Sequence, residues 1–550
     1  MKKKILNVLS VLLCGTMLVS FAACGGGGEE LPAAAQGKTV LYVAAYEGGL
    51  GTQWITNAAN SFAKQYEGVS LEDGKTGVYV HVQAHKSFNG NTLLTGTIDK
   101  DIYFTEDVNY FKHVGQGNFA DITDIVTGSL SEYGEEGSIE DKLDKNQKDF
   151  LTAKDGKYYG LPFYDGIHGF IYDRDLFNAN YWFFDADGAI GVDETGKNAN
   201  GSDFGLSAGP DNNMETTYDN GLPATYAQFE ELLYEIRAVR KVPFSYMGSD
   251  PAYIKRAMMN WWSDYEGLEN MNVNYTLDGE VELVESISGD TVTTYTENID
   301  QTNGYLLHKQ AGKYYALSFL ETLVDNPDNY KVNRDDHKTA QRKFVRGTLT
   351  NDDDFAMLVD GIWWENEARS ILDDCGTEFG KGRMDRRFAF MPVPKANETE
   401  LAKNQGQTLV SLNDSFAFVN AKSKKLDLAK KFMQFLHTDA QLSAFTSETS
   451  ATRSFRYDVI EADEATMSYF GKSVLEMKRS SNIIYPCSNL TIINNNSATF
   501  TSDVWGWSTQ IGATKYEDPF AAFRSGKTAK DYFEGYGKIF TATAWSAMNK

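Results

Sequence analysis

Residues 158–177 read YYGLPFYDGIHGFIYDRDLF, and the order of their parts decides how the chain divides. Gly160 and Pro162 punctuate the start, and a proline cannot donate into a sheet interior. Phe163, Tyr164, Asp165, Gly166, His168 and Gly169 then form an aromatic and polar cluster before the apolar, strand-like run Phe170-Ile171-Tyr172. A breaker, a polar cluster and a buried strand in that order suit a chain that leaves one lobe, crosses an open seam and enters another. A strand edge beside a loop is the alternative reading of the same residues.

The bulk numbers favour the crossing. At 550 residues the chain exceeds one ordinary hydrophobic core, so two or more lobes are expected. Its 42% hydrophobic and 23% charged residues are those of a globular protein, and 13% aromatics, with 30 Tyr and 9 Trp, suit a surface built for stacking. A net charge of −24 repels nucleic acid and anionic lipid headgroups.

The N-terminus reads as an export signal over residues 1–23. Lys2 to Lys4 form a positive region, Ile5 to Val19 an apolar one, and Phe21-Ala22-Ala23 a small-residue exit directly before Cys24. FAAC resembles the lipobox of bacterial lipoproteins, in which the cysteine thiol is lipidated, although Phe21 stands where leucine is usual. A plain secretory peptide or an uncleaved anchor is the competing reading. With lipid on Cys24, the Gly/Glu/Ala/Gln stretch to Gly37 is a flexible tether, and the protein sits on the outer face of a bacterial cell membrane. Cys375 and Cys487 either pair or remain isolated buried thiols, and no zinc spacing occurs.

From Lys38 the pattern is strand, helix, strand. KTVLYVAA is followed by a Gly-rich turn, a helix opening at Thr52 with Ile55, Ala58, Ala59 and Phe62 on one face, and the strand GVYVHVQ. Such a βαβ unit predicts a mostly parallel sheet with flanking helices, whose ligands sit at the carboxyl ends of strands. IDKDIYFTE, AMLVDGIWW, FAFMPVP and Ser415 to Val419 supply further strands. Thr225-Tyr226-Ala227-Gln228 reads as a capping box. Phe184 to Asn220 is a polar surface insertion, and YTLDGEVELVESI predicts a hairpin turning at Asp278-Gly279.

Taken in order, these segments resemble the extracellular solute-binding proteins of family 1, the maltose-binding-protein-like receptors of carbohydrate ABC importers. The resemblance runs through FAKQYEGV, KYYGLPFYDGIHGFIYDRDLF, ATYAQFEEL, AMLVDGIWW, FAFMPVPK, SFAFVNAKSKKLDLAKKFMQFL and TSATRSF, and departs at Lys100-Asp101 and in two insertions. It implies an α/β fold of two lobes, each a mostly parallel sheet with flanking helices, joined by about three crossings. Lobe one is then 38–160 with 395–445, and lobe two 162–390 with 452–550. It further implies a monomeric, non-catalytic receptor without cofactor that captures an oligosaccharide and delivers it to membrane permease subunits. A secreted glycan hydrolase, and a lipoprotein binding peptides or another small solute, are the alternatives.

The binding residues expected are aromatic and ionic. Aromatic faces cover the apolar side of a sugar ring, while carboxylates and arginine hold vicinal hydroxyls. Trp54 follows the first Gly-rich turn; Tyr103, Tyr164, Trp261 and Trp262 are further platform candidates, and the resemblance adds Trp363 and Trp505. Adjacent side chains diverge, so one of Trp363 and Trp364 is expected to reach the cleft. Glu47, Glu106, Asp165, His168, Glu365 and Arg453 lie near expected strand ends or crossings. Metal and catalytic readings are weaker. His81 and His85 on a strand stand about 13 Å apart, too far to share an ion. Asp185 to Glu194 resembles a calcium loop with a misplaced glycine. Ser61 of SFAK lies inside a helix, and Gly526-Lys527-Thr528 lacks the upstream glycine of a phosphate loop.

Overall fold

The computed structural model describes residues 31–86, 98–106, 108–247, 252–289, 291–333, 336–350, 355–412, 415–486, 488–500, 507, 510–511 and 514–548. Cys24, Cys487 and Trp505 lie outside the described residues. Two five-stranded sheets organise the rest. The first holds β1 (Thr39–Tyr46), β2 (Val78–His85), β3 (Ile102–Thr105), β4 (Leu161–Pro162) and, from far later in the chain, β15 (Phe416–Val419), in the order β2-β1-β3-β15-β4. The second holds β5 (His168–Asp173), β8 (Val242–Met247), β11 (Tyr330–Asn333), β12 (Phe355–Gly361) and β13 (Phe388–Phe390), in the order β11-β8-β12-β5-β13.

Each sheet is parallel except for one reversed strand. β2, β1 and β3 run parallel, and β15 lies antiparallel between β3 and β4. β11, β8 and β12 run parallel, and β5 lies antiparallel between β12 and β13. This is the mostly parallel α/β fold expected of the sequence. Both reversed strands start where their neighbours end: His168 pairs with Gly361, and Phe416 with Thr105. Strands that arrive from the other sheet therefore enter at the carboxyl edge, where a ligand meets an open α/β sheet.

The chain passes between the sheets three times: from β4 to β5, from β13 to β15, and again after the helix Asp439–Thr449. These passages are bonded to one another. The Gly166 amide donates to Ser411 Oγ at 2.8 Å, and the Leu412 amide to the Gly166 carbonyl at 3.0 Å. The Asp165 amide donates to the Thr452 carbonyl at 2.9 Å, and the Phe163 amide to the Ser415 carbonyl at 3.1 Å.

The helix Gln53–Gln65 packs Ile55, Ala58, Ala59 and Phe62 inward, and Thr52 stands at its N-cap without a side-chain bond. The box at Thr225 is half formed. Thr225 Oγ1 accepts from the Gln228 amide, while the Gln228 side-chain oxygen accepts from Ala224 instead of closing back on Thr225. The hairpin exists but turns elsewhere: β9 (Gly279–Ser288) and β10 (Thr291–Ile299) join between Ser288 and Thr291, and Gly279 pairs with Ile299 at the open end. Helix Ala252–Thr276 runs up to that open end, so Asp278-Gly279 turns helix into strand. In the polar insertion, β6 (Phe183–Phe184) pairs with β7 (Ile190–Val192). Its Asp185, Asp193 and Asn198 each accept two amides of the turn that follows.

Candidate ligand-binding cleft

The carboxyl edges of the two sheets face each other at one seam, and aromatic side chains from both fill it. Trp363 follows β12, and its indole lies so close over Gly49, in the turn after β1, that any side chain at 49 would collide with it. Asn366 Nδ2 donates to the Gly49 carbonyl at 2.9 Å, a second bond across the same seam. Around the indole stand His168 at 4.8 Å, Tyr164 at 6.3 Å and Tyr253 at 6.3 Å between ring centroids, all edge to face. That arrangement sets positive ring edges against negative faces, the favoured geometry for aromatic pairs.

Each member is delivered by local structure. Tyr164 comes from the first crossing and His168 from the first position of the reversed β5. Tyr253 sits in the first turn of helix Ala252–Thr276, close behind β8. Glu106 leaves the end of β3, and its Oε1 accepts from Tyr164 OH at 2.5 Å, so a carboxylate from the first sheet holds an aromatic of the crossing. The Gly48 backbone lies against the Tyr46 ring and Glu106 Oε1. Glu47 is exposed beside it.

Electrostatically the seam favours neutral rings. Burial, with the Arg256 charge nearby, holds the His168 imidazole well below the usual histidine range. Burial and the acids Asp360, Glu367 and Glu106 push the Tyr253 phenol far above its ordinary value. Neutral aromatic faces beside a carboxylate and an amide can stack on an apolar ring face and bind its hydroxyls.

The other candidates occupy different ground. Trp54 packs in the first lobe's core against Phe104, Phe163 and Phe445, and Trp261 in the second against Phe170 and Phe319. Trp262 and Trp364 are fully buried, Trp364 among Phe344, Phe388 and Phe470. Tyr103 turns its hydroxyl to the amides of Asp99 and Lys100. Of the paired tryptophans at 363 and 364, one points to the seam and one to the core.

Asp165, Arg453 and Glu365 stitch the crossings together. Asp165 is wholly buried and accepts from Thr452 Oγ1 at 2.6 Å, Lys478 Nζ at 2.9 Å and Tyr485 OH at 3.0 Å. Arg453 donates through Nε to the Phe163 carbonyl and stands 2.9 Å from His437 Nε2. Its guanidinium lies over the rings of Trp54, Phe163, Phe445 and Phe455, and burial lowers its pKa to about 10. His437, held far below its usual range by burial and by Arg453, is neutral and accepts that bond. Glu365 accepts from Ser450 Oγ at 2.5 Å, Ser468 Oγ at 2.7 Å and Arg383 at 3.3 Å, and burial raises its pKa. In this structure these ionic groups are spent on protein partners.

Sequence reasoning did not single out Gly49, Tyr253 or Asn366. The signal for Tyr253 was an aromatic in the first helical turn behind a buried strand. Gly49 is one glycine of a Gly-rich turn, and only the opposing indole shows why it matters.

Known structures share this architecture. The sugar-binding protein MalE of Xanthomonas citri superposes with a TM-score of 0.54 at 12% identity, covering 93% of this chain and 98% of that one. RafE in complex with raffinose gives 0.53 at 12% identity, over 93% and 100%. The GacH receptor of Streptomyces glaucescens, known unliganded and with acarbose, gives 0.52 at 14% identity, over 93% and 98%. No protein-family model matches the sequence, and no curated protein does. The fold is therefore the two-lobed one these binding proteins share.

Proposed function

We propose that the protein is a lipid-anchored extracellular receptor that closes on an oligosaccharide between its two lobes and hands it, unmodified, to the permease of an ABC importer. The observation that carries this reading is the seat of Trp363 on Gly49, which brings an aromatic of one sheet onto the turn of the other, with Tyr164, Tyr253 and Glu106 around it. Structural neighbours described as binding raffinose or acarbose support a sugar as the ligand. Lobe boundaries fall at the three crossings, and the protein acts as a monomer. Among the original candidates, Glu106, Tyr164, His168 and Trp363 line the seam, and Trp505 joins them by resemblance. Trp54, Trp261, Asp165, Glu365 and Arg453 support it from behind.

Calorimetric titration of purified protein with raffinose, acarbose and maltodextrins, followed by chromatography of the sugar, tests the reading. Binding with full recovery of intact sugar is expected. Cleavage, or binding of peptides with no response to any glycan, overturns it. The anchor is tested apart from the cleft: Cys24→Ser is expected to leave folding unchanged and move the protein from the membrane pellet to the soluble fraction. A processed variant that stays in the pellet refutes lipid as the tether. No described helix is long and apolar enough to cross a membrane.

A further inference from the structure

The polar insertion carries a second built feature, away from the cleft. We propose that Asp211 and Asp219, with Asn220 and Ser207, form a calcium site that fastens the insertion to the paired segments around Gln407 and Ser480.

The loop from Gly209 to Asp219 is wrapped around one carboxylate. Gly209 adopts φ +68°, and a Cβ there would meet Asp219 Oδ2 at 2.9 Å. The Asp211 amide donates to the same oxygen at 3.2 Å. Asp219 is 0% exposed, yet its Oδ1 has no hydrogen-bond partner among the described residues. Asn220, 7% exposed, turns into the same loop, where its Nδ2 donates to the Met214 carbonyl at 3.4 Å. That leaves Asn220 Oδ1 buried and unpartnered, like the Oγ of Ser207, whose carbonyl accepts from the neighbouring Gly221 amide at 2.9 Å. Buried polar oxygens are nearly always satisfied, so several orphans in one loop point to a missing partner.

That partner is cationic. Neither Asp211 nor Asp219 forms an ion pair with a lysine or arginine among the described residues. The Asp211 amide bonds the buried Asp219 carboxylate, so two acids stand in one dry loop without a counter-charge, an arrangement that a bound cation relieves. The donor set is all oxygen: two carboxylates, an amide and a hydroxyl. Calcium takes six to eight such ligands in flexible geometry, whereas magnesium keeps an octahedral shell with water and zinc prefers nitrogen and sulfur. No group of three or more His, Cys, Asp or Glu side chains is placed to hold a metal among the described residues, so the site must draw on neutral oxygens. The acidic stretch Asp185 to Glu194 differs. Asp185 and Asp193 bind turn amides, as Asp211 does that of Asn213, but no buried oxygen of that stretch is left unpartnered, and Glu194 pairs with Arg174 and Arg387.

Ordering this loop has a reach beyond it. Tyr218 OH accepts from Gln407 Nε2 at 3.3 Å and from Ser480 Oγ at 3.1 Å, which ties the loop to β14 (Gln407–Val410) and to the start of β16 (Ser481–Ile484). Those two strands pair in parallel, one lying on the second crossing and the other following the third.

The test uses purified protein stripped with EDTA, then titrated with CaCl2 or MgCl2 by calorimetry and melted in each. Calcium is expected to bind with one equivalent, saturating by roughly 1 mM as extracellular modules do, and to raise the melting temperature by several degrees. Asp219→Asn and Asp211→Asn should abolish both effects, and Asp185→Asn should leave both intact. Terbium luminescence sensitised by Tyr218 gives a readout that does not depend on stability. If Asp219→Asn fails to fold, Ser207→Ala and Asn220→Ala carry the test, each expected to weaken calcium at least tenfold. Absence of calcium binding, an equal response to magnesium, or an unchanged response in these variants overturns the proposal. A calcium-independent rise in melting temperature in Asp219→Asn would likewise overturn it, assigning the pair to a shared proton.

Discussion

Trp363 and Trp261 show how little a residue's identity says about its task. Both are tryptophans behind apolar runs, yet one covers a glycine across the seam and the other stacks on Phe319 inside the second lobe. Truncation should separate them. Trp363→Ala is expected to weaken oligosaccharide binding at least about tenfold, or 1.4 kcal/mol, since a stacking aromatic at a hot spot often contributes more than that. Its melt should fall by only a few degrees. Trp261→Ala should instead lose about 3–5 kcal/mol of folding stability through an unfilled cavity. Titration beside a denaturant melt on each variant decides the matter, and full affinity in a folded Trp363→Ala would remove that residue from the site. The sequence could nominate aromatics and carboxylates near strand ends, because strand ends are periodic features of a linear pattern. It could not say which acids were already engaged: Asp165 and Glu365 find their partners hundreds and tens of residues away, at Lys478 and Ser450. Pairing at that separation is a property of the folded chain.

Among elements, helix Ala252–Thr276 is the most informative. It breaks at Gly267, whose φ of 71° and ψ of 179° are open to glycine almost alone. Nothing lies within 4 Å of the position where a Cβ would stand, so Gly267→Ala should cost about 1–3 kcal/mol through backbone strain without any clash. An unchanged urea midpoint would show that the helix repairs the break at no cost. Next to the kink, Glu266 accepts from the Gly312 amide at 2.7 Å, at the start of helix Ala311–Asp325, and burial raises its pKa to about 8. The folded protein thus holds a proton that the unfolded chain releases above the ordinary glutamate value of 4.5. Stability contributed by that proton is complete below the unfolded value and is lost as pH rises towards about 8. Glu266→Gln should flatten this fall, seen as a smaller difference between urea midpoints at the two ends of that window. Strands such as β1, β2 and β12 were legible because their apolar runs are short and bounded by turn residues. The hairpin turn was misplaced because Asp-Gly and Ser-Gly-Asp are both turn signals, and only the reach of the preceding helix chooses between them.

At the scale of the whole molecule, the crossings set what can move. Bonds among Asp165, Thr452, Lys478, Gly166 and Ser411 tie the crossings to each other while the sheets on either side stay intact. Motion is then a rotation of one lobe against the other, and a ligand that bridges both favours the closed state. Small-angle scattering should show a smaller radius of gyration with sugar than without, with the sugar recovered unchanged. Asp165→Ala leaves Lys478 without its carboxylate in a buried place and should destabilise the protein by several kcal/mol, in keeping with removal of one partner from a buried pair. A variant as stable as the parent would show that the crossings hold without it.

The seat of Trp363 on Gly49 also gives the molecule an optical voice. An indole buried against backbone emits at shorter wavelength than one in water, so parting the lobes should redden the emission and sugar should reverse it. Trp363→Phe, by removing that fluorophore, should take away the larger part of the change, leaving what Trp505 contributes over the constant background of the core tryptophans. Occupancy could then be read in dilute solution with no dye attached.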